Sequence, residues 1–209
     1  MVYVGITASD VEKAVYRAFR SAWERDRGAS VAPPDVVRVT EIVQCLLKSW
    51  LERVHGYSPS ERKLVVLVLG DDVHYLMNSQ FPLGEGELSL EKEYRGVRVR
   101  GRADRVLGDA LVEFKTASRI PNAPLDHHVD QLQLYFWLSD RERGFLVYVS
   151  KMSGEVRAFE VRRDEERVKS LLERAVELSR CLKNGVRPRP EPGWLCKFCE
   201  YREECGAVQ

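Results

Sequence analysis

Long apolar runs are missing from this chain. No stretch approaches the roughly 20 residues of a membrane-spanning helix, and the start, "MVYVGITASDVEKAV", shows no charged-then-apolar leader. These two absences argue for a cytoplasmic protein with no membrane partner. An excess of one charge is missing as well: 33 basic residues face 32 acidic ones, for a net charge of +1. Any surface for nucleic acid must therefore be local rather than spread over the molecule. Amides are scarce, with three Asn and five Gln, a composition that accompanies heat resistance. There is no Walker-type phosphate loop, which argues against ATP-driven chemistry, and there are no internal repeats or low-complexity tracts. Without a secretory leader, the five cysteines do not suggest a disulfide framework. Metal ligation or free thiols are the remaining roles.

What is present is a chain of 209 residues, 44% hydrophobic and 31% charged, enough for one core with a small appendage. Val11, Ala14, Val15, Ala18, Phe19 and Ala22 repeat at helical spacing over 9–26, with Ser9 as the cap. "GASVAPPDV" then reads as a linker. A second helix is expected through "EIVQCLLKSWLERV", capped by Thr40, and a third over 61–79, where length decides for helix over strand. "ELSLEKEY", "VRVRGRADRV" and "ALVEFKT" read as three antiparallel strands with turns at Arg95-Gly96 and Gly108-Asp109. A helix through "HHVDQLQLYFWL", strands at "GFLVYVSK" and "EVRAFEV", and a helix over 164–183 ending before Asn184-Gly185 complete the order. The expected class is α/β, with a mixed central sheet flanked by helices. The tail "RPRPEPGWLCKFCEYREEC" has too few apolar residues to hold itself and needs a staple.

The hairpin around Gly108-Asp109 carries an electrostatic problem. Its register sets Asp104 opposite Glu113, with Lys115 on the same sheet face. Like charges directly opposed destabilise a sheet, unless a divalent cation sits between them. Hard cations such as Mg²⁺ or Mn²⁺ prefer such oxygen ligands. Lys115 could then orient or help deprotonate a water, or stabilise charge on a phosphate. Arg98, Arg100 and Arg102 alternate with Val97, Val99 and Gly101, so the expectation is a basic lane on the face of Asp104 that suits a phosphodiester backbone.

Asp104, then Glu113-x-Lys115, resembles the signature of the PD-(D/E)xK nucleases in their RecB-like form. "GDDVH" places His74 on a helix after a glycine, similar to the RecB-type histidine that adds a metal ligand. "QLQLY" sets Gln131 and Tyr135 on one helix face, similar to that family's Gln-x-x-x-Tyr motif. The resemblance implies a restriction-endonuclease-like core in which His74, Asp104, Glu113 and the Phe114 backbone carbonyl hold Mn²⁺ or Mg²⁺. It also implies that Lys115 assists the attacking water while Gln131 and Tyr135 place the DNA strand and support that lysine. His127 and His128 match nothing in the family pattern and read as first-turn helix residues near arriving DNA. His55 reads as surface.

Cys196, Cys199 and Cys205 form a C-x₂-C-x₅-C run, three thiolates that need one more ligand for a tetrahedral Zn²⁺ site or an iron–sulfur cluster. Cys45 and Cys181 are both open as the fourth, since neither lies in its helix's main apolar stripe. The resemblance to RecB-like nucleases of the iron–sulfur type implies Cys45, leaving Cys181 a bystander. It favours [4Fe–4S], with [2Fe–2S] the alternative. Compact size and motif order are similar to the family of CRISPR-associated exonucleases, the fourth of the Cas proteins. That likeness implies a 5′→3′ exonuclease on single-stranded or splayed DNA ends, with endonuclease activity open, trimming DNA before spacer integration and partnering the integrase complex. The oligomeric state is left open. Expected boundaries are a helical extension over 1–36, a nuclease core over 37–186 and an iron–sulfur segment over 187–209. The competing readings are a repair or replication nuclease of the same type and a non-catalytic, Zn-stapled DNA-binding module.

Overall fold

In the computed structural model, residues 7–25 and 32–207 are described. The outer parts of the 1–36 extension, part of the "GASVAPPDV" linker and residues 208–209 fall outside them. The first helix, α1 (Ala8–Arg25), is capped by Thr7 rather than Ser9. Thr7 Oγ1 accepts from Asp10 N at 3.3 Å while Asp10 Oδ2 accepts from Thr7 N at 2.9 Å, a reciprocal cap. Helix α1 packs on α4 (Glu61–Gln80) and stays outside the main core: no α1 residue is buried, Val11 and Val15 of its apolar stripe are exposed, and α4 buries only Leu64. Ser60 caps α4 by accepting from Lys63 N.

Two short mixed sheets form where one was expected. The first has the order β1-β3-β2, with β1 (Val36–Arg38) parallel and β2 (Leu88–Tyr94) antiparallel to β3 (Val97–Ala103). The second has the order β4-β5-β6-β7, from β4 (Arg105–Leu107), β5 (Ala110–Ala117), β6 (Arg143–Ser150) and β7 (Val156–Arg162). Strands β5 and β6 are parallel, so they require a crossover, and α5 (Asp126–Ser139) supplies it. Helix α6 (Glu165–Asn184) begins at an Asp164 cap and ends at Gly185, whose φ of 62° fits a left-handed C-terminal cap. Leu111, Leu132, Phe136, Leu146, Tyr148 and Leu178 knit sheets and helices into one core.

The expected strand "VRVRGRADRV" is thus divided, and the division falls at Asp104. Arg105 holds the bend. Its guanidinium donates to the carbonyls of Asn78, Leu83 and Gly84, all near 3.0 Å, and lies over the Phe81 ring. That fork ties the end of α4 to the point where the chain passes from one sheet to the other. It brings His74 over Asp104.

The expected helix after Thr40 is divided too. Thr40 lies inside α2 (Val39–Val43), and Gln44 and Cys45 are extended before α3 (Leu46–His55) begins. A break leaves carbonyls and amides without helical partners. Arg174 of α6 supplies donors, Nε to Ile42 O at 3.0 Å and Nη2 to Gln44 O at 2.8 Å. Glu191 of the tail accepts from Leu46 N at 2.9 Å and pairs with Arg174. The tail then forms a 3₁₀ turn (Trp194–Phe198) and α7 (Arg202–Cys205), lying along α3 through Tyr201 Oη to Gly56 O at 3.1 Å and Lys48–Glu200 at 3.6 Å.

Candidate active site

A cleft of about 1630 Å³ opens between α4, the β2–β3 hairpin and the start of α5. His74, Asp104, Glu113, Lys115, Gln131 and Tyr135 all line it. The ladder of β4 and β5 stops at Arg105–Val112, so Asp104 is not the rung opposite Glu113 that the hairpin register suggested. The bend turns its carboxylate along the strand instead, where Oδ2 accepts from Phe114 N at 2.8 Å and from His74 Nδ1 at 3.2 Å. The hydrogen bond to Asp104 lifts the His74 pKa above its usual value.

Glu113 is 2% exposed. Its Oε1 accepts from Lys115 Nζ at 2.8 Å and Gln131 Nε2 at 2.9 Å. Lys115 Nζ also donates to Gln131 Oε1 at 2.7 Å, and Gln131 Nε2 reaches Tyr135 Oη at 3.0 Å. Burial pushes the Glu113 carboxyl up to about 7 against the pull of the Lys115 ammonium. Burial likewise raises the Tyr135 phenol, which therefore stays protonated.

Glu113 Oε2 is the atom that tests the metal expectation. It is buried with no hydrogen-bond partner among the described residues, an arrangement that costs free energy unless something accepts its lone pairs. Asp104 meets Phe114 N and His74 Nδ1 through the same oxygen, Oδ2, so an imidazole stands beside the carboxylate. Oxygen donors with one imidazole fit Mg²⁺ or Mn²⁺. No group of three His, Cys, Asp or Glu side chains is already drawn together as a ligand cluster among the described residues.

The expected basic lane is changed by pairing. Arg98 binds Asp35 at 3.2 Å and does not line the cleft. Arg100 and Arg102 do line it, but Arg100 pairs with Glu91 and Arg102 with Glu87 at 3.2 Å. Sequence reasoning missed two residues. Gly101 has a Cβ position only 2.5 Å from Tyr135 Cε1 and 2.8 Å from Val39 Cγ2, so glycine is what lets Tyr135 lie flat on β3. A glycine interrupting an alternating strand was the available signal. Arg105, the holder of the bend, gave none.

Cys45, Cys196, Cys199 and Cys205 line one second cavity, of about 690 Å³. Gly193 N donates to Cys196 Sγ at 3.3 Å, and Cys45 is the residue that precedes the first turn of α3. Four cysteines around one cavity, with a backbone N–H donor at Cys196, are the residue types that hold an iron–sulfur cluster or Zn²⁺, although they are not drawn together as a ligand cluster among the described residues. Cys181 does not line that cavity. It is 5% exposed on α6, so the helical-wheel reading that placed it off the buried face is corrected. His127 faces the cysteine cavity, and His128 Nδ1 lies 2.8 Å from Tyr148 Oη. His55 is exposed beside Glu204.

A carboxylate pair with a lysine at the break between two mixed sheets, reached from an open cleft, defines a nuclease-type centre. The PD-(D/E)XK nuclease superfamily matches residues 6–206, and the chain belongs to it. CRISPR-associated exonuclease Cas4 of Saccharolobus solfataricus is 27% identical over 199 residues, spanning 85% of this chain and 90% of that protein. The crystal structure of SSO0001 superposes with a TM-score of 0.66 at 24% identity, covering 99% of this chain and 100% of that one. An alkaline exonuclease from Laribacter hongkongensis gives a TM-score of 0.51 at 14% identity over 72% of this chain and 89% of its own. The two structural likenesses establish the fold.

Proposed function

We propose that the chain is a divalent-metal-dependent DNA exonuclease acting on single-stranded or splayed ends, of the CRISPR-associated type, with 5′→3′ polarity. The observation that carries this reading is the unpartnered Glu113 Oε2, buried within reach of the Asp104–His74 pair and Lys115 at the floor of an open cleft. His74, Asp104, Glu113 and the Phe114 carbonyl would hold Mn²⁺ or Mg²⁺. Strand geometry supports the last of these, because a residue's N–H and C=O leave on the same edge and Phe114 N already points at Asp104. The metal would supply Lewis acidity at a phosphodiester oxygen and a water acidic enough to attack it.

Lys115 Nζ donates to Glu113 Oε1 and Gln131 Oε1, in place to orient that water or to meet charge growing on the phosphate. Tyr135 fixes Gln131, and Gln131 fixes Lys115. Arg100 and Arg102 stand at the cleft, where a phosphate backbone could exchange with Glu91 and Glu87. Arg98 is left to Asp35. The four cysteines that line one cavity support an iron–sulfur cluster, [4Fe–4S] ahead of [2Fe–2S], that staples the tail to α3 without entering the reaction. The likeness to the archaeal exonuclease supports a place in the cytoplasm before spacer integration, beside the integrase. No helix among the described residues is long and apolar enough to cross a membrane.

The test is Mn²⁺-dependent cleavage of end-labelled single strands. Linear strands are expected to be shortened from the 5′ end while circular strands persist. Asp104→Asn and Glu113→Gln should each lose cleavage by more than about 100-fold with unchanged circular dichroism. Full activity in either variant removes that carboxylate from the mechanism.

A further inference from the structure

The cysteine cavity and the catalytic cleft are neighbours. Thr40 lines both, and His127, which lines the first, lies one helical turn before Gln131, which lines the second. Along α5 that step is ~6 Å. Beyond His127 stands Trp194, with ring centroids 6.1 Å apart, and beyond Trp194 stands Phe198, at 6.5 Å and nearly perpendicular. Both aromatic side chains are largely in water, Trp194 at 58% and Phe198 at 60% exposed.

Leaving two large rings exposed on one 3₁₀ turn forfeits the burial that large apolar side chains gain on folding. Folding does not explain it. Lys63 and Arg202 line this cavity, as do Lys48, Arg167 and Arg174, which are paired with carboxylates. Lys197 Nζ sits 5.0 Å from the Phe198 ring, adding a cation beside the aromatic pair. Exposed rings set among cations, one step from a phosphodiester-cleaving cleft, are the chemistry that single-stranded nucleic acid requires.

We propose that Trp194, flanked by Phe198 and His127, is a stacking platform for a base of the single strand that runs out of the catalytic cleft past Thr40. The proposal rests on the single-strand nuclease reading given above and adds a second, non-catalytic binding site to it. The platform grips bases by their π-faces and so reads little sequence. It works on the strand at a distance from the bond being cut.

The test uses the full-length, loaded protein in the Glu113→Gln background, so that strands survive the measurement. Binding of oligo(dT), of an abasic strand of equal length and charge, and of a dinucleotide too short to reach from cleft to platform is followed by fluorescence anisotropy. Trp194→Ala should weaken oligo(dT) binding by roughly 5- to 150-fold, the equivalent of one lost stack. It should leave the abasic strand and the dinucleotide unaffected, and Trp194→Phe should restore most of the loss. Circular dichroism and visible absorption matched to the parent keep a folding or cluster defect apart from a stacking defect.

Unchanged oligo(dT) binding in Trp194→Ala overturns the platform, and so does an equal loss for the abasic strand. If the wild-type chain still shortens linear strands in either of those cases, the nuclease reading stands without the platform. A wild-type chain that neither cleaves nor binds single strands removes both.

Discussion

Gly101 shows how far a single missing atom governs the site. Its Cβ would fall 2.5 Å from Tyr135 Cε1 and 2.8 Å from Val39 Cγ2, and neither neighbour can give freely, since Tyr135 and Val39 are both buried. Overpacking of this kind costs about 1–3 kcal/mol. Here it would also slide Tyr135 off Gln131 and loosen Lys115. Gly101→Ala is therefore expected to fold, with a lowered melting temperature, and to lose roughly 10- to 100-fold in cleavage rate. Steady-state kinetics beside a melting curve check this, and a variant that melts lower but cleaves at the parental rate would detach Tyr135 from the catalytic array. At this scale much was legible in the sequence. Asp104, Glu113, Lys115, Gln131, Tyr135 and His74 were named from spacing, turn position and family likeness, and all six line one cleft. What spacing could not reveal was pairing: Arg98, Arg100 and Arg102 alternate as a basic lane, yet each meets a carboxylate from another segment.

Elements were read well where their signals are local and poorly where they are imposed from afar. Gly108 and the Arg95-Gly96 pair adopt the positive φ that tight hairpins need, and the caps at Ser60, Asp164 and Gly185 stand where helix chemistry puts them. The two breaks were not foreseeable from local pattern. The strand is divided at Asp104 by Arg105 reaching carbonyls more than 20 residues away, and the helix is divided at Gln44-Cys45 by Arg174 and Glu191, whose partners there lie 130 or more residues away in sequence. Both breaks matter to function. One turns Asp104 towards Phe114 and His74, and the other puts Cys45 outside a helix, on the cavity that the tail cysteines also line. Arg174→Ala should strand the carbonyls of Ile42 and Gln44 and release Glu191, at a cost of about 1–3 kcal/mol. Urea denaturation measures that loss, and limited proteolysis should cut the 187–207 segment sooner than in the parent. Equal stability and equal protection would mean that the clasp does not hold the tail.

Across the whole molecule, the α/β class was visible in the alternation of strand and helix patterns, while its division into two small sheets was not. That division is what builds the centre, because its parts arrive from α4, from the bend between the sheets, from β5 and from α5. A cation seated there would join three of them, α4, the bend and β5, and must therefore stabilise the fold. Ligand at about 100 times its dissociation constant adds about 2.7 kcal/mol, which for a chain of this size raises the melting temperature by roughly 5–11 °C. The most direct test is the thermal unfolding of the chelator-treated wild type and of Glu113→Gln, each with and without saturating Mn²⁺. A rise of that size in the wild type, absent in Glu113→Gln, is the predicted result. An unmoved wild-type transition, or the same rise in both proteins, would contradict a metal centre built on the buried Glu113 carboxylate.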